Sequence, residues 1–226
     1  MAQVGFLETG HSCHNYRRCS LATGLSSSVV EQRTCNAQVV SSILTGGSSR
    51  AEGWSIMGTF PKDAFQDLIA ANDEYVNTFK YSELTGRAQK GLAIVTCMDS
   101  RINPLSVVGM RSGDAKILRN AGARVTEDVL RTLVLATYLL NVNRILIMPH
   151  TDCRMAQGSE SDIHALLEKD FGVDTRSLEF KTTTDQVGAL TIDVTRVRSY
   201  PFLREGITVG GAIYDVKTGT IKPVDC

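Results

Sequence analysis

Two short apolar runs decide the fold. Residues 91–96 read GLAIVT and residues 144–148 read RILIM, and polar or turn-forming residues flank both. Continuous apolar runs of this length are typical of strands that are buried on both faces, as in parallel sheets covered by helices. We therefore expect both segments in the centre of an α/β sheet.

Helical patterns alternate with these runs. The clearest begins at Thr126, a suitable N-cap that is followed by two acidic residues and by apolar side chains recurring on one face. The predicted helices cover residues 61–81, 126–141, 161–171 and 185–199, and the predicted strands cover residues 91–96, 115–118, 144–148, 207–216 and 220–224. The last two strands form a hairpin. The expected fold is α/β, with a mostly parallel central sheet flanked by helices and an antiparallel C-terminal strand.

The first 56 residues differ from the rest of the chain. They contain no Lys, no Asp, four Arg, three Glu and ten Ser, and no apolar period is sustained. We expect residues 1–56 to be a poorly ordered extension, with the true start at Met57 and a single domain over residues 57–226. The competing interpretation is an organelle transit peptide, because the segment is rich in Ser and poor in acids. Its His and Cys residues lack the paired spacing of zinc-finger ligands, so we assign them no chemistry. They are His11, Cys13, His14, Cys19 and Cys35.

Composition excludes several classes of protein. The 24 basic and 24 acidic residues cancel, which argues against nucleic acid as a partner. No apolar run approaches the roughly 18 residues of a membrane span, and the first residues lack the pattern of a secretory signal. Six cysteines in 226 residues are too few for a disulfide scaffold. We expect a soluble, cytoplasmic protein.

Metal-binding and charged side chains follow the two central strands. Cys97, Asp99 and Arg101 come at the end of the first, and His150 and Cys153 at the end of the second. In open α/β sheets, ligands bind beyond the carboxyl ends of the strands. Two thiolates and one imidazole suit zinc, and three protein ligands leave the fourth position that a catalytic site needs. The sequence therefore predicts a zinc site made of Cys97, His150 and Cys153.

A plainer interpretation is open at this point. Cys97 and Cys153 are compatible with buried free thiols that pack as small apolar side chains. His150 is compatible with a hydrogen-bonded residue at a strand end, and Asp99 with a structural ion pair to Arg101. The two-residue gap between His150 and Cys153 is weak evidence by itself, but the third ligand, with Asp and Arg at alternate positions after it, favours zinc.

The pattern Cys97-x-Asp99-x-Arg101, followed about fifty residues later by His150-x2-Cys153, resembles the signature of the β-class carbonic anhydrases. The resemblance implies one Zn²⁺ per chain, held by the two cysteines and the histidine, with Asp99 as a fourth ligand in a closed state. It also implies carbonate dehydratase (lyase) activity, the reversible hydration of carbon dioxide to bicarbonate and a proton by attack of zinc-bound hydroxide. Asp99 and Arg101 would then be the catalytic residues, the first accepting a hydrogen bond from the hydroxide and the second holding the first.

The resemblance extends beyond the motif. The sequences RNAG at residues 119–122 and VGGAIYD at residues 209–215 are similar to the short prokaryotic branch of the family, and the likeness spans roughly residues 60–224. It implies that residues 57–226 form one zinc-binding catalytic domain. Family active sites lie at a dimer interface, and the predicted helix over residues 61–81 is similar to the segment that wraps a neighbouring subunit. A homodimer or homotetramer is therefore expected, with CO₂ and bicarbonate as the small-molecule partners.

The sequence leaves alternatives open for the substrate and for the activity. Arg154 follows the last cysteine, where many family members have a small residue. Hydrolysis of CS₂ or COS on the same scaffold is one alternative, and a non-catalytic zinc-binding regulator is another. A dithiol redox protein using Cys97 and Cys153 lacks the usual C-x-x-C spacing. Asp152 receives no role, and His164 is expected to pack or face solvent within its helix.

Overall fold

The computed structural model describes residues 59–226. The predicted extension over residues 1–56 and the suggested start at Met57 lie outside that range, as do the His and Cys residues of the extension.

A five-stranded sheet organises the fold. The strands are β1 (Leu92–Cys97), β2 (Ala115–Asn120), β3 (Arg144–Met148), β4 (Thr208–Tyr214) and β5 (Ile221–Val224). Their order across the sheet is β2-β1-β3-β4-β5. The first four run parallel, and β5 is antiparallel to β4. The predicted α/β class, the parallel sheet and the C-terminal hairpin are confirmed.

Helices connect the strands. They are α1 (Lys62–Val76), α2 (Pro104–Val107), α3 (Glu127–Leu139), α4 (Glu160–Phe171) and α5 (Gln186–Arg198), with 3₁₀ turns at Ala121–Ala123 and Arg154–Ala156. The sequence predicted α1, α3, α4 and α5, but neither α2 nor the 3₁₀ turns. Among residues 59–226, no helix has both the length and the apolar character needed to cross a bilayer.

Local side-chain chemistry sets the helix ends. Thr126 caps α3 by accepting a hydrogen bond from the Val129 amide, and Gly172 ends α4 with a φ of 67°, a left-handed conformation that glycine adopts without steric cost. The first helix is shorter than predicted. Asn77 and Thr78 turn their side chains back to backbone carbonyls of α1, which competes with further helical hydrogen bonds.

The sheet buries both of its faces. Along β1, Ala93 and Val95 join a cluster with residues of α3 and α5, whereas Leu92 and Ile94 point into a second cluster on the other face. Every residue of β1 is buried. This alternation explains why the strand reads as an unbroken apolar run.

The register brings two strand ends to the same level. Thr96 of β1 pairs with Met148 of β3, and the buried Thr96 hydroxyl donates to the Met148 carbonyl at 2.7 Å. Residues that follow these strands consequently meet at one edge of the sheet.

Candidate active site

Cys97, His150 and Cys153 meet at that edge. Cys97 ends β1, while His150 and Cys153 lie just beyond β3. Their three ligand atoms lie within 4.8 Å of one another, and the side chains are buried, with His150 0%, Cys97 5% and Cys153 4% exposed. The two sulfurs are 3.9 Å apart, close to the separation of about 3.8 Å that two Zn–S bonds of about 2.3 Å give at a tetrahedral angle. The predicted ligand cluster therefore has the spacing that zinc needs.

The His150 ring is oriented as a ligand. Its Nδ1 lies 2.8 Å from the Thr151 carbonyl, which can only accept a hydrogen bond, so Nδ1 carries the proton. In the neutral ring, Nε2 then holds the lone pair. Within residues 59–226, Nε2 is a buried polar side-chain atom without a hydrogen-bond partner. A buried nitrogen left unpaired is costly unless something binds it, and a metal ion between the two thiols would do so.

The two neighbouring thiols shift each other's pKa in opposite directions. Hydrogen bonding from Cys153 lowers the pKa of the Cys97 thiol, against the opposing effect of burial, and His150 lowers it further. The Cys97 thiolate and burial in turn raise the pKa of the Cys153 thiol. A second thiolate so close to the first requires a positive ion between them. The donor set therefore fits a divalent metal such as zinc.

Asp99 and Arg101 form a tight ion pair in the turn after β1. Arg101 donates from Nε to Oδ1 at 2.9 Å and from Nη2 to Oδ2 at 2.7 Å, and its backbone amide donates to Oδ1 at 2.9 Å. These bonds hold the pKa of the Asp99 carboxyl well below its usual range. Asp99 Oδ2 also lies 3.8 Å from His150 Nε2. The ion pair thus borders the ligand cluster, and Asp99 is ionised at neutral pH.

A second arginine, Arg119, holds the backbone of the turn that follows β1. Arg119 of β2 donates from Nε to the Cys97 carbonyl at 2.8 Å and from Nη2 to the Asp99 carbonyl at 2.5 Å. The backbone that carries the Cys97 and Asp99 side chains is therefore hydrogen-bonded to the neighbouring strand β2.

Two further polar residues, to which the sequence assigned no role, lie near the site. Asp152 accepts hydrogen bonds from Arg101, through its carboxylate at 2.8 Å and its backbone carbonyl at 3.1 Å. Gln186, the first residue of α5, donates to the His150 carbonyl at 2.8 Å. The position of Asp152 between two ligands was a signal for it, whereas no local pattern marks Gln186.

His164 packs against neighbouring side chains, and Arg154 is exposed at the surface. His164 Nδ1 lies 2.9 Å from the Thr175 hydroxyl, and its ring packs against Phe180 with a centroid distance of 5.2 Å. This agrees with the expected packing role. Arg154 begins the 3₁₀ turn after the last cysteine and is exposed.

Comparisons with known proteins give the family. Residues 92–221 match the family model described as carbonic anhydrase. The chain is 33% identical over 159 residues to β-carbonic anhydrase 1 of Mycobacterium tuberculosis, covering 70% of this chain and 96% of the relative. A crystal structure of carbonic anhydrase from Streptococcus mutans has a TM-score of 0.68 and 36% identity, covering 74% of this chain and all of that one.

A carbon disulfide hydrolase of Acidithiobacillus thiooxidans is a weaker relative. It is 28% identical over 152 residues, covering 58% of this chain and 76% of the relative. Residues 7–51 separately match a model described as uncharacterized protein YPR108W-A, which assigns no activity. With the fold and the ligand cluster, the matches over the sheet decide the class: this chain belongs to the β-carbonic anhydrase family.

Proposed function

We propose that this protein catalyses the reversible hydration of CO₂ to bicarbonate and a proton, with one Zn²⁺ held by Cys97, His150 and Cys153. The observation that carries the proposal is the buried ligand cluster, whose atoms lie within 4.8 Å of one another around a histidine nitrogen without a partner in the described part of the chain. Zinc with three protein ligands supplies Lewis acidity that lowers the pKa of a bound water to about 7.

Asp99 is the proposed catalytic residue that orients the attacking oxygen. Its pKa lies well below the usual range because Arg101 donates to it, so at neutral pH it accepts hydrogen bonds and does not donate a proton. A carboxylate that accepts a hydrogen bond from the nucleophile directs a lone pair toward the carbon of CO₂. Arg101 keeps Asp99 in that state and in that position, through two side-chain contacts that form a planar fork.

The surroundings of the cluster suit an uncharged substrate. Cys97 and Cys153 belong to a buried apolar cluster with Ile102, Ala123 and Met148. Such walls exclude water, which strengthens the electrostatic interactions of the ionised groups.

Hydrolysis of CS₂ is the second candidate activity. The relationship to a carbon disulfide hydrolase supports it, although with lower identity and coverage than the carbonic anhydrase. Both substrates are linear and apolar, and both are attacked at carbon by an activated water. Parallel assays with CO₂ and CS₂ on one preparation separate them, and we expect CO₂ to be the faster substrate.

The proposal includes a homodimer or homotetramer. Leu68, Ile69, Tyr75 and Val76 of α1 are all between 48% and 63% exposed, which is unusual for large apolar side chains on one helix. Burial of such a surface against a second copy would stabilise the assembly. Sedimentation velocity at micromolar concentration tests this, and a monomer under those conditions would contradict it.

A reducing compartment, the cytoplasm, is the proposed location. The free cysteines among residues 59–226 are Cys97, Cys153 and Cys226, and two of them are needed as reduced ligands. Disulfide formation across the 3.9 Å between the Cys97 and Cys153 sulfurs would remove both ligands, and reducing compartments prevent this.

Zinc content and hydration rate, measured together, test the function. The wild-type protein is expected to contain about one zinc per chain and to hydrate CO₂ in a stopped-flow assay. Loss of an outer partner of a zinc ligand costs about 10–100-fold in affinity, so Cys153→Ala, which removes a ligand itself, should lose more and fall to background hydration.

Cys226→Ala provides the matched control. Cys226 is a partly buried thiol near Thr191, and it should be replaceable without loss of zinc or rate. Wild-type protein prepared without chelators that contains no zinc, or Cys153→Ala with full zinc and full rate, would refute the proposed function.

A further inference from the structure

Asp152 holds the other side of the Arg101 guanidinium. The Arg101 Nη1 donates to Asp152 Oδ2 at 2.8 Å, and Nη2 donates to the Asp152 carbonyl at 3.1 Å. The carboxylate contact uses Nη1, which Asp99 leaves free, because Asp99 is bound through Nε and Nη2. Nη2 carries two N–H groups, so it donates to Asp99 and to the Asp152 carbonyl together. The two aspartates therefore clamp one guanidinium from two sides without displacing each other.

Asp152 is itself fixed in place. Gln157 donates from its side-chain amide to Asp152 Oδ1 at 3.0 Å, which leaves Oδ2 for Arg101. The Asp152 backbone has a φ of 55°, a left-handed conformation that Asp and Asn adopt more readily than other residues with a side chain. Strained backbone of this kind persists where the surrounding contacts determine it, and it concentrates at functional sites.

The contacts of Asp152 add little to the stability of the fold. The side chains of Arg101 and Asp152 are each 46% exposed, and ion pairs with that exposure contribute little because water screens them. Their effect is positional, since Asp152 lies between His150 and Cys153 in the sequence. Through Asp152, Arg101 is tied to the segment that carries two of the proposed metal ligands.

From this geometry we infer that Asp152 is a positioning residue that keeps Arg101 on Asp99, and so keeps Asp99 out of the ligand cluster. Asp99 Oδ2 is already 3.8 Å from His150 Nε2, so a small shift would bring the carboxylate among the ligand atoms. Arg101 competes with the metal for that carboxylate, and Asp152 biases the competition by restricting the rotation of the guanidinium. The inference rests on the proposed function, because it assumes a metal in the cluster.

Cobalt(II) substitution makes the vacant ligand position visible. Azide binds an open position on the cobalt protein and changes its visible absorption, whereas a carboxylate in that position blocks it. We expect azide to bind the wild-type protein, and Asp152→Gly to raise the azide Kd by about tenfold, within the 10–100-fold range seen when outer partners of metal ligands are lost. Glycine suits the left-handed backbone, so this variant removes only the side chain.

Asp152→Asn is the matched variant. Asparagine tolerates the same backbone and keeps an oxygen that accepts from Arg101 Nη1, so azide affinity should stay within about threefold of the wild type. Equal azide affinity in the wild type and Asp152→Gly would overturn the inference. Absence of azide binding to the wild type would overturn it as well, because Asp99 would then not be held away.

A second measurement does not depend on the metal. In the metal-free and the zinc-loaded protein, ¹⁵N NMR should resolve separate Nη1 and Nη2 signals of Arg101 in the wild type and in Asp152→Asn, because rotation of the guanidinium is hindered. If Asp152→Gly fails to fold, Asp152→Ser, which shortens the side chain away from Nη1, takes its place. Merged Nη signals in the wild type, or equally resolved signals in Asp152→Gly, overturn the inference even if zinc binding and hydration are found. A protein that shows the resolved signals but takes up no zinc when zinc is added refutes the proposed function alone.

Discussion

Two pairs with the spacing Asp-x-Arg adopt the same local geometry in different surroundings. The strand-end pair is Asp99 with Arg101, and the surface pair is Asp174 with Arg176. In the strand-end pair, the arginine backbone amide, Nε and Nη2 contact the carboxylate at 2.9, 2.9 and 2.7 Å. In the surface pair, the same contacts measure 3.0, 2.9 and 2.6 Å. In both, donation from the arginine holds the pKa of the carboxyl well below its usual range.

The difference lies outside the pairs. The Asp174 side chain is 54% exposed and that of Asp99 is 18% exposed. Arg101 also contacts Asp152, and Asp99 lies next to His150. A short Asp-x-Arg turn therefore forms its ion pair from local geometry alone, and the strand-end pair is distinguished by its place after a buried strand and beside the ligand cluster. Five substitutions test this comparison.

The largest effect on hydration is expected for Asp99→Ala. Asp99→Ala should slow CO₂ hydration by two or more orders of magnitude, about 3 kcal/mol of barrier, because the attacking oxygen loses its hydrogen-bond acceptor. Zinc should remain at about one per chain, since three ligands are intact. Stopped-flow hydration with elemental analysis measures both.

Asp174→Ala is the control for Asp99→Ala. It removes an identical local ion pair far from any proposed ligand in the sequence, and its hydration rate should equal that of the wild type. Equal losses in the two variants, or no loss in either, would abolish the functional distinction between the pairs.

A smaller effect on hydration is expected for Arg101→Lys. Arg101→Lys keeps the charge but not the planar fork that contacts Asp99 and Asp152 together. Hydration should fall by about tenfold, as for the loss of one positioned hydrogen-bonding group of modest strength. Arg176→Lys should leave the rate unchanged, and comparison of kcat for the two variants measures the difference. An Arg101→Lys variant with wild-type kcat would show that charge alone suffices.

The smallest effect concerns acid stability at the surface pair. The folded-state pKa of Asp174 is lowered by Arg176, so its contribution to stability exists above the unfolded value of about 3.9 and is lost as the pH falls through the folded pKa. At pH 7, the free energy of unfolding measured in urea should be slightly higher for the wild type than for Asp174→Asn. That difference should narrow below about pH 4. A difference that grows with acidification would contradict the assignment.

Most of the sheet was predictable from the sequence, because strands buried on both faces consist of continuous runs of apolar residues. The apolar runs of β1 and β3 and the cap at Thr126 are local signals, and the structure confirms them. The strand β2 was predicted to end at Leu118, yet Arg119 and Asn120 continue it by pairing with Thr96 and Cys97 of β1. That pairing is a tertiary contact, which two polar residues do not reveal.

The site likewise contains residues that the local sequence predicts and a contact that it does not. Residue type and spacing predicted the ligand cluster and the strand-end pair, because the chemistry of thiolates, imidazole and carboxylate is specific. The contact between Asp152 and Arg101 joins segments 51 positions apart, and it depends on a left-handed backbone at Asp152. Neither the distance nor the conformation has a signature in the local sequence.

The hydrogen bond from Thr96 to Met148 joins residues 52 positions apart in the sequence. The proposed metal ligands that follow β1 and β3 are therefore far apart in the unfolded chain. Before β1 and β3 pair, the cysteine of one strand and the ligands after the other are separated by a long loop, so no high-affinity site exists. Zinc binding and assembly of the sheet are thus linked equilibria, and free zinc raises the free energy of unfolding by mass action. Chelation would lower the midpoint of thermal denaturation of the whole sheet, and isolated fragments carrying only one of the two strands would bind the ion weakly.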